Sequence, residues 1–289
     1  MIVRRMQLPG WYPQSPRACE QQVDRLLEAA VVPADLPEKL VGGICPHAGW
    51  IYSGSVAALT FKAIAAGHTP GTVVVFGAGH SRVKPPRRPA LYAEGAWETP
   101  LGLLEIDTRL AERLLAVTDL VEEDTVAHDA DNTIEVQTPF IKHLWPSAKF
   151  LPITMGYFRP AGELGRRLAQ IIADGKTDAV FIGSTDLTHY GAENYGWAPQ
   201  GAGPQAHEWS KANDRRFLEK LVAMDEEELT AEAREHRNAC GASAAAATVA
   251  ASAALGAEAG HLLVHTTSYE VQPEGRSPAN FVGYASVVF

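Results

Sequence analysis

Short apolar runs alternate along the chain with longer stretches of helical spacing. Residues 41–45 read as a strand, and 54–66 repeat their apolar positions at helical intervals. The run 72–76 (TVVVF) is β-branched almost throughout, the pattern of a strand buried on both faces. Strand-like segments recur at 103–107, 150–154 and 178–183, with helical segments at 108–117 and 161–173. Residues 133–145 have helical spacing interrupted by Pro139. A polar, helix-rich region fills 205–235, an alanine-dense packing helix begins at Ala242, and 261–270 and 280–288 close the chain as two strands. No long internal period repeats, which argues against solenoids and propellers. The alternation predicts one α/β domain over residues 1–289, a three-layer α/β/α sandwich around a mostly parallel, mixed central sheet.

Composition narrows the function. Of 289 residues, 46% are hydrophobic and 20% charged, as in an ordinary folded chain. There are 25 Lys and Arg against 34 Asp and Glu, a net charge of −9, which disfavours wrapping nucleic acid. No apolar run approaches the roughly 18–20 residues of a membrane span. The opening MIVRRMQLPGWYPQ has no apolar stretch long enough for a signal peptide, so a cytoplasmic protein is expected. Cys19, Cys45 and Cys240 are dispersed and odd in number, so no disulfide framework is expected.

Three buried-looking strands each run into a polar turn that carries a histidine. The first leads to His47, the second to His80, and the third to Asp186 and His189. Ligands in open α/β sheets bind beyond the carboxyl ends of the strands. Gly49, Gly54, Gly77 and Gly79 flank the first two histidines and permit tight turns. A lone histidine is more often structural, but three at equivalent strand ends suggest metal binding. Neither HExxH nor CxxC is present, so ligands must converge from distant positions. Cys240, just before the alanine-dense helix, is the candidate anionic ligand, since a helix start favours thiolate. The competing reading is a small cysteine filling space there. Cys45 on its strand reads as packing, and Cys19 on the first helix as inert.

Together these residues resemble the Memo family, also known as the B component of the AmmeMemoRadiSam system and similar in fold to class III extradiol dioxygenase subunits. The likeness runs nearly end to end: Gly10-Trp11-Tyr12-Pro13, Pro46-His47-Ala48-Gly49-Trp50-Ile51-Tyr52-Ser53-Gly54, Gly79-His80, Glu98-Thr99-Pro100-Leu101-Gly102, Ile134-Glu135-Val136-Gln137 with Pro139-Phe140, Gly183-Ser184-Thr185-Asp186-Leu187-Thr188-His189-Tyr190-Gly191, Cys240-Gly241 and Val282-Gly283-Tyr284-Ala285. The resemblance implies metal ligands His47, His80 and Cys240, with His189 and Asp186 as the catalytic acid/base pair. Fe(II) is the implied ion. A thiolate in place of the carboxylate of ring-cleaving relatives leaves Cu or Zn open. It also implies Amme-type and radical SAM partner proteins. One departure stands out: many members carry Glu-His-Ser where this chain has Asp131-Asn132-Thr133. His128 matches another family position and need not replace the missing histidine.

Three readings remain open. The first is a dioxygenase-like oxidoreductase acting on an unidentified small molecule, in which His189, oriented by Asp186, moves a proton. The second is a metal-free Cys/His hydrolase or transferase with Cys240 as nucleophile and His189 or His80 as base. The third is a metal-binding redox or peptide-binding protein without turnover. Arg82, Lys84, Arg87 and Arg88 offer a cationic rim for an anionic substrate, against the plainer reading of a solvated loop. Trp50, Tyr52, Trp97 and Tyr190 offer walls for an aromatic one, against core packing. Thr267, Ser268, Tyr269 and Glu270 are expected to border the site.

Overall fold

A computed structural model describes residues 2–273 and 277–289. Its strands are β1 (Val3–Arg4), β2 (Gly42–Cys45), β3 (Thr72–Gly77), β4 (Ala90–Leu91), β5 (Ala96–Thr99), β6 (Gly102–Glu105), β7 (Glu122–Glu123), β8 (Lys149–Thr154), β9 (Ala179–Ser184), β10 (His189–Tyr190), β11 (His261–Thr267) and β12 (Phe281–Val288). Its helices are α1 (Pro16–Ala29), α2 (Trp50–Gly67), α3 (Thr108–Val117), α4 (Asn132–Glu135), α5 (Thr138–Leu144), α6 (Ala161–Gly175), α7 (Ala192–Tyr195), α8 (Pro204–Val222), α9 (Glu226–His236), α10 (Ala242–Ala254) and α11 (Ser268–Val271).

Nine strands form one sheet in the order β10-β12-β2-β9-β3-β8-β4-β7, with β11 also paired to β12. The centre, β2-β9-β3-β8, is parallel, while β12 joins β2, and β4 joins β8, antiparallel. The fold is therefore α/β with a mixed central sheet and helices on both sides.

The apolar runs at 72–76 and 178–183 are explained by burial on both faces. Val74, Phe76 and Phe181 enter one core, together with residues of α3, α6 and α10. Val73, Val75, Val180 and Ile182 enter the other, together with residues of α1, α2 and α5. A strand covered twice has no room for polar alternation. Helix α10 is alanine-dense for the same reason: its buried positions run without a break from Ala242 to Ser252.

Local chemistry sets the element ends. The helical stretch around Pro139 is two helices: α4 stops at Glu135, and Pro139 sits in the first turn of α5, where its missing N–H costs nothing. The strand expected over 261–270 ends at Thr267. There the Thr267 side chain and Glu270 form a capping box that turns the chain into α11. The N-terminal segment is pinned by Glu135. Its carboxylate accepts from Arg4 Nη1 at 2.7 Å, the Gln7 and Leu8 amides at 2.9 and 3.1 Å, and the Tyr12 hydroxyl at 2.9 Å. Among the described residues no helix is long and apolar enough to cross a membrane.

Candidate metal centre

Adjacent parallel strands leave the sheet at the same edge. β2 runs out to His47, β9 to Asp186 and β3 to His80. The turn before α10 brings Cys240 to that edge. Its N–H donates to the Asp186 carbonyl at 3.1 Å, and the Asp186 N–H donates to its Sγ at 3.3 Å. Gly241 is required next to it, because a Cβ there would stand 2.3 Å from the Ser184 carbonyl oxygen.

One donor atom from each of His47, His80 and Cys240 lies within 4.8 Å of the other two. Cys240 Sγ is 3.2 Å from His47 Nε2, and the two imidazoles meet edge to face with centroids 5.0 Å apart. His47 is oriented from behind. The single proton of the Ser184 hydroxyl goes to the Thr133 carbonyl at 2.5 Å. Ser184 Oγ therefore accepts from His47 Nδ1 at 2.9 Å, which leaves Nε2 with a bare lone pair facing Sγ. The His47 N–H donates to Asp186 Oδ1 at 2.8 Å, and its carbonyl accepts from Asn132 Nδ2 at 2.8 Å. Gln137 holds the preceding carbonyl, that of Pro46, at 2.7 Å.

The charge states suit a metal better than an ion pair. Burial lowers the His47 pKa to about 4, against an opposing pull from Asp186, so the ring is neutral at pH 7. Burial also lowers that of His80, against the pull of Asp131 and Asp186. Burial pushes the Cys240 thiol up, and the Asp186 carboxylate pushes it further. The thiolate expected from the helix start is thus not favoured in the metal-free chain, because loss of water and a neighbouring anion outweigh the helix terminus. A cation bound there would supply the missing charge. Two donors at about 2.0–2.3 Å from one ion stand at most about 4.5 Å apart, and the Sγ–Nε2 separation falls within that. Two neutral imidazoles and a thiol able to ionise are a fitting set for a transition metal.

Asp186 Oδ2 is 3.8 Å from both His47 Nε2 and His189 Nε2, beyond hydrogen-bond reach of either. Burial pushes the Asp186 carboxyl up, yet the two imidazoles and the His47 N–H hold it below the usual carboxylate range. His189 lies outside the three-residue cluster, partly exposed and stacked on Tyr195 with ring centroids 5.1 Å apart.

His47, His80, Asp186 and His189 line a cleft of about 840 Å³, whereas Cys240 is not among its lining residues. The aromatic walls of the cleft are Trp11, Tyr52, Tyr195, Tyr269, Phe281 and Tyr284. Of the four aromatics expected from the sequence only Tyr52 lines it. Trp50 donates its indole N–H to the Val136 carbonyl inside the core. Trp97 is buried against Tyr92, His128 and Arg4, and Tyr190 is stacked on Phe281. Arg82 reaches the cleft, whereas Lys84 pairs with Asp124, and Arg87 and Arg88 are not among its lining residues. Of the four residues expected to border it, Ser268 and Tyr269 do, whereas Thr267 and Glu270 are not among its lining residues. His128 is fully buried, bonded to the Ala90 carbonyl, and does not substitute for a histidine at 132. Asn132 itself lines the cleft. Cys19 and Cys45 are buried away from solvent.

Comparison with known proteins agrees with this architecture. The chain is 33% identical over 290 residues to a MEMO1 family protein of Methanopyrus kandleri, covering 96% of this chain and 95% of that one. It is 35% identical over 258 residues to a MEMO1 family protein of Pyrococcus abyssi, covering 86% and 87%. Its fold is shared with the crystal structure of an uncharacterized protein, JW3007, from Escherichia coli K12, at a TM-score of 0.56 and 14% identity. That match covers 87% of this chain and all of the other. The family model described as Memo-like protein matches residues 4–288, and the chain belongs to the Memo family.

Proposed function

We propose that His47, His80 and Cys240 hold one metal ion, Fe(II) first and Cu or Zn as alternatives, and that with iron or copper bound the protein is an oxidoreductase of dioxygenase type for a small molecule. The carrying observation is the convergence of two neutral imidazoles and a half-buried thiol, with Nε2 of His47 bared by the Ser184 bond. When bound, such an ion supplies coordination positions that three protein ligands leave open to O2 and substrate. The chain's own residues do the rest. Tyr52, Tyr195 and Trp11 flank a planar ligand, and Arg82 faces an anionic one. His189 Nε2, 3.8 Å from Asp186 Oδ2, takes or returns a proton at the substrate. The test is anaerobic purification followed by metal analysis and an oxygen-electrode screen of aromatic acids. The reading expects about one iron per chain, lost in Cys240→Ser, and iron-dependent oxygen uptake. Equal metal in both proteins would overturn it.

The Cys240–His47 contact also favours, on distance alone, a thiol hydrolase with His47 as base. Charge counts against it. Burial holds the imidazole and the thiol neutral, whereas an activated pair needs thiolate and imidazolium.

A further inference from the structure

The tripeptide Asp131-Asn132-Thr133 sits between the two histidines. Asn132 Nδ2 holds the His47 carbonyl, and the Thr133 carbonyl holds the Ser184 hydroxyl behind the His47 ring. Asp131, 1% exposed, faces the other way. Its Oδ1 accepts from the Thr133 hydroxyl at 2.7 Å and the Thr133 N–H at 2.8 Å. Its Oδ2 accepts from the Thr154 hydroxyl at 2.7 Å. Each hydroxyl, its proton spent on the carboxylate, accepts in turn from a backbone amide. Thr133 Oγ1 takes the Ala78 N–H at 3.1 Å, and Thr154 Oγ1 takes the Gly79 N–H at 3.1 Å.

These two amides are the last before His80. Both threonines are fully buried, so no water replaces the bonds. The fit is close: a Cβ on Gly77 would lie 2.6 Å from Thr133 Oγ1 and from the Ile134 side chain. Just before the tripeptide, Ala130 adopts a left-handed φ of 51°, a conformation L-residues rarely take and one that must be held by its surroundings.

We infer that Asp131 is a positioning residue for His80, acting through two parallel relays: Asp131–Thr133–Ala78 N–H and Asp131–Thr154–Gly79 N–H. Only a carboxylate serves both, because three donors converge on it and an amide would present an N–H2 to one hydroxyl. Its negative charge also faces the His80 imidazole and adds to the field that favours a cation between the histidines. The inference rests on the proposed metal site for its meaning, but its geometry can be tested without metal.

The experiment pairs two readouts. In metal-free protein, the imidazole ¹⁵N–¹H signals of His80 are followed by NMR in Thr154→Val, which removes one relay without changing side-chain volume, and in Thr154→Ser, which keeps the hydroxyl. Movement or broadening of the His80 signals in the valine variant, restored in the serine variant, with His47 unchanged, is expected. No change at His80 overturns the inference whether or not the protein binds metal. In Co(II) titrations, Asp131→Asn is expected to weaken affinity about 10- to 100-fold, the range for outer-shell partners of metal ligands. In a His80→Ala background the same substitution should add less than about twofold, because coupling vanishes when the coupled residue is gone. An undiminished effect in that background means that Asp131 acts on the fold at large and overturns the inference. Failure of the unsubstituted protein to bind Co(II) sinks the metal reading alone, and the NMR comparison still decides the positioning role.

Discussion

Cys240 Sγ lies 3.2 Å from His47 Nε2, and burial holds both groups uncharged. That relationship suits a pair of metal ligands better than an activated nucleophile. It sets how the thiol reacts. Iodoacetamide should modify Cys240 slowly at pH 7 even after chelation, and faster as pH rises, about tenfold per unit while the thiol remains mostly protonated. Metal should slow it further. Cys45 and Cys19, whose thiols burial also pushes up (Cys19 to about 12), serve as controls that chelator leaves unmoved. Rapid alkylation of metal-free Cys240 with a plateau below pH 7 would favour the hydrolase.

The same charge states fix the pH dependence of metal binding. Above a pKa of about 4 His47 is already neutral, and that of His80 is lowered too, so neither releases a proton on ligation near neutrality. Cys240 does, because its thiol is protonated. Metal affinity should therefore rise with pH by about tenfold per unit from pH ~6.5 to ~8, one proton leaving per ion bound. Titrations of Co(II) or Zn(II) in matched buffers measure this slope. A flat profile would mean that Cys240 is not a ligand or is already ionised.

His189→Gln should keep stoichiometric metal. The imidazole is outside the three-residue cluster, and its nearest charged neighbour is Asp186 at 3.8 Å. Turnover, once a substrate is found, should fall by about 10²- to 10⁴-fold, the usual worth of a general acid or base. Metal analysis of the variant checks the first half, and loss of the ion would mark His189 as a ligand instead.

Glu135 gathers four donors from the first twelve residues, among them Arg4 in a fully buried ion pair at 2.7 Å. Glu135→Ala leaves the Arg4 charge buried without its carboxylate. Urea unfolding should show a loss of about 3–5 kcal/mol. A loss below about 1 kcal/mol would mean that water reaches Arg4 and the knot is not closed.

The sequence made the strand ends legible because three doubly buried strands have an unmistakable apolar pattern and each stops at a histidine or aspartate. Cys240 was legible as a residue at a helix start. Its charge was not, because burial and the approach of Asp186 come from contacts across more than fifty positions. The aromatic walls were misplaced for a similar reason. Trp97 and Tyr190 neighbour recognisable motifs but face the core, while Trp11 and Tyr284, in motifs of their own, and Tyr195, on α7, line the cleft instead. Ser184 could have been suspected from its place at the end of β9, two residues before Asp186. The relays through Thr133 and Thr154 left no signal, since a hydroxyl bonded to a distant amide has no spacing of its own.

The most direct test of the central claim is X-ray absorption fine structure on protein loaded with one equivalent of zinc. Ligation by His47, His80 and Cys240 predicts one sulfur near ~2.3 Å and two imidazole nitrogens near ~2.1 Å, with the sulfur shell gone in Cys240→Ala. A first shell of nitrogen and oxygen alone in the unsubstituted protein, or a sulfur shell that survives the substitution, would contradict it.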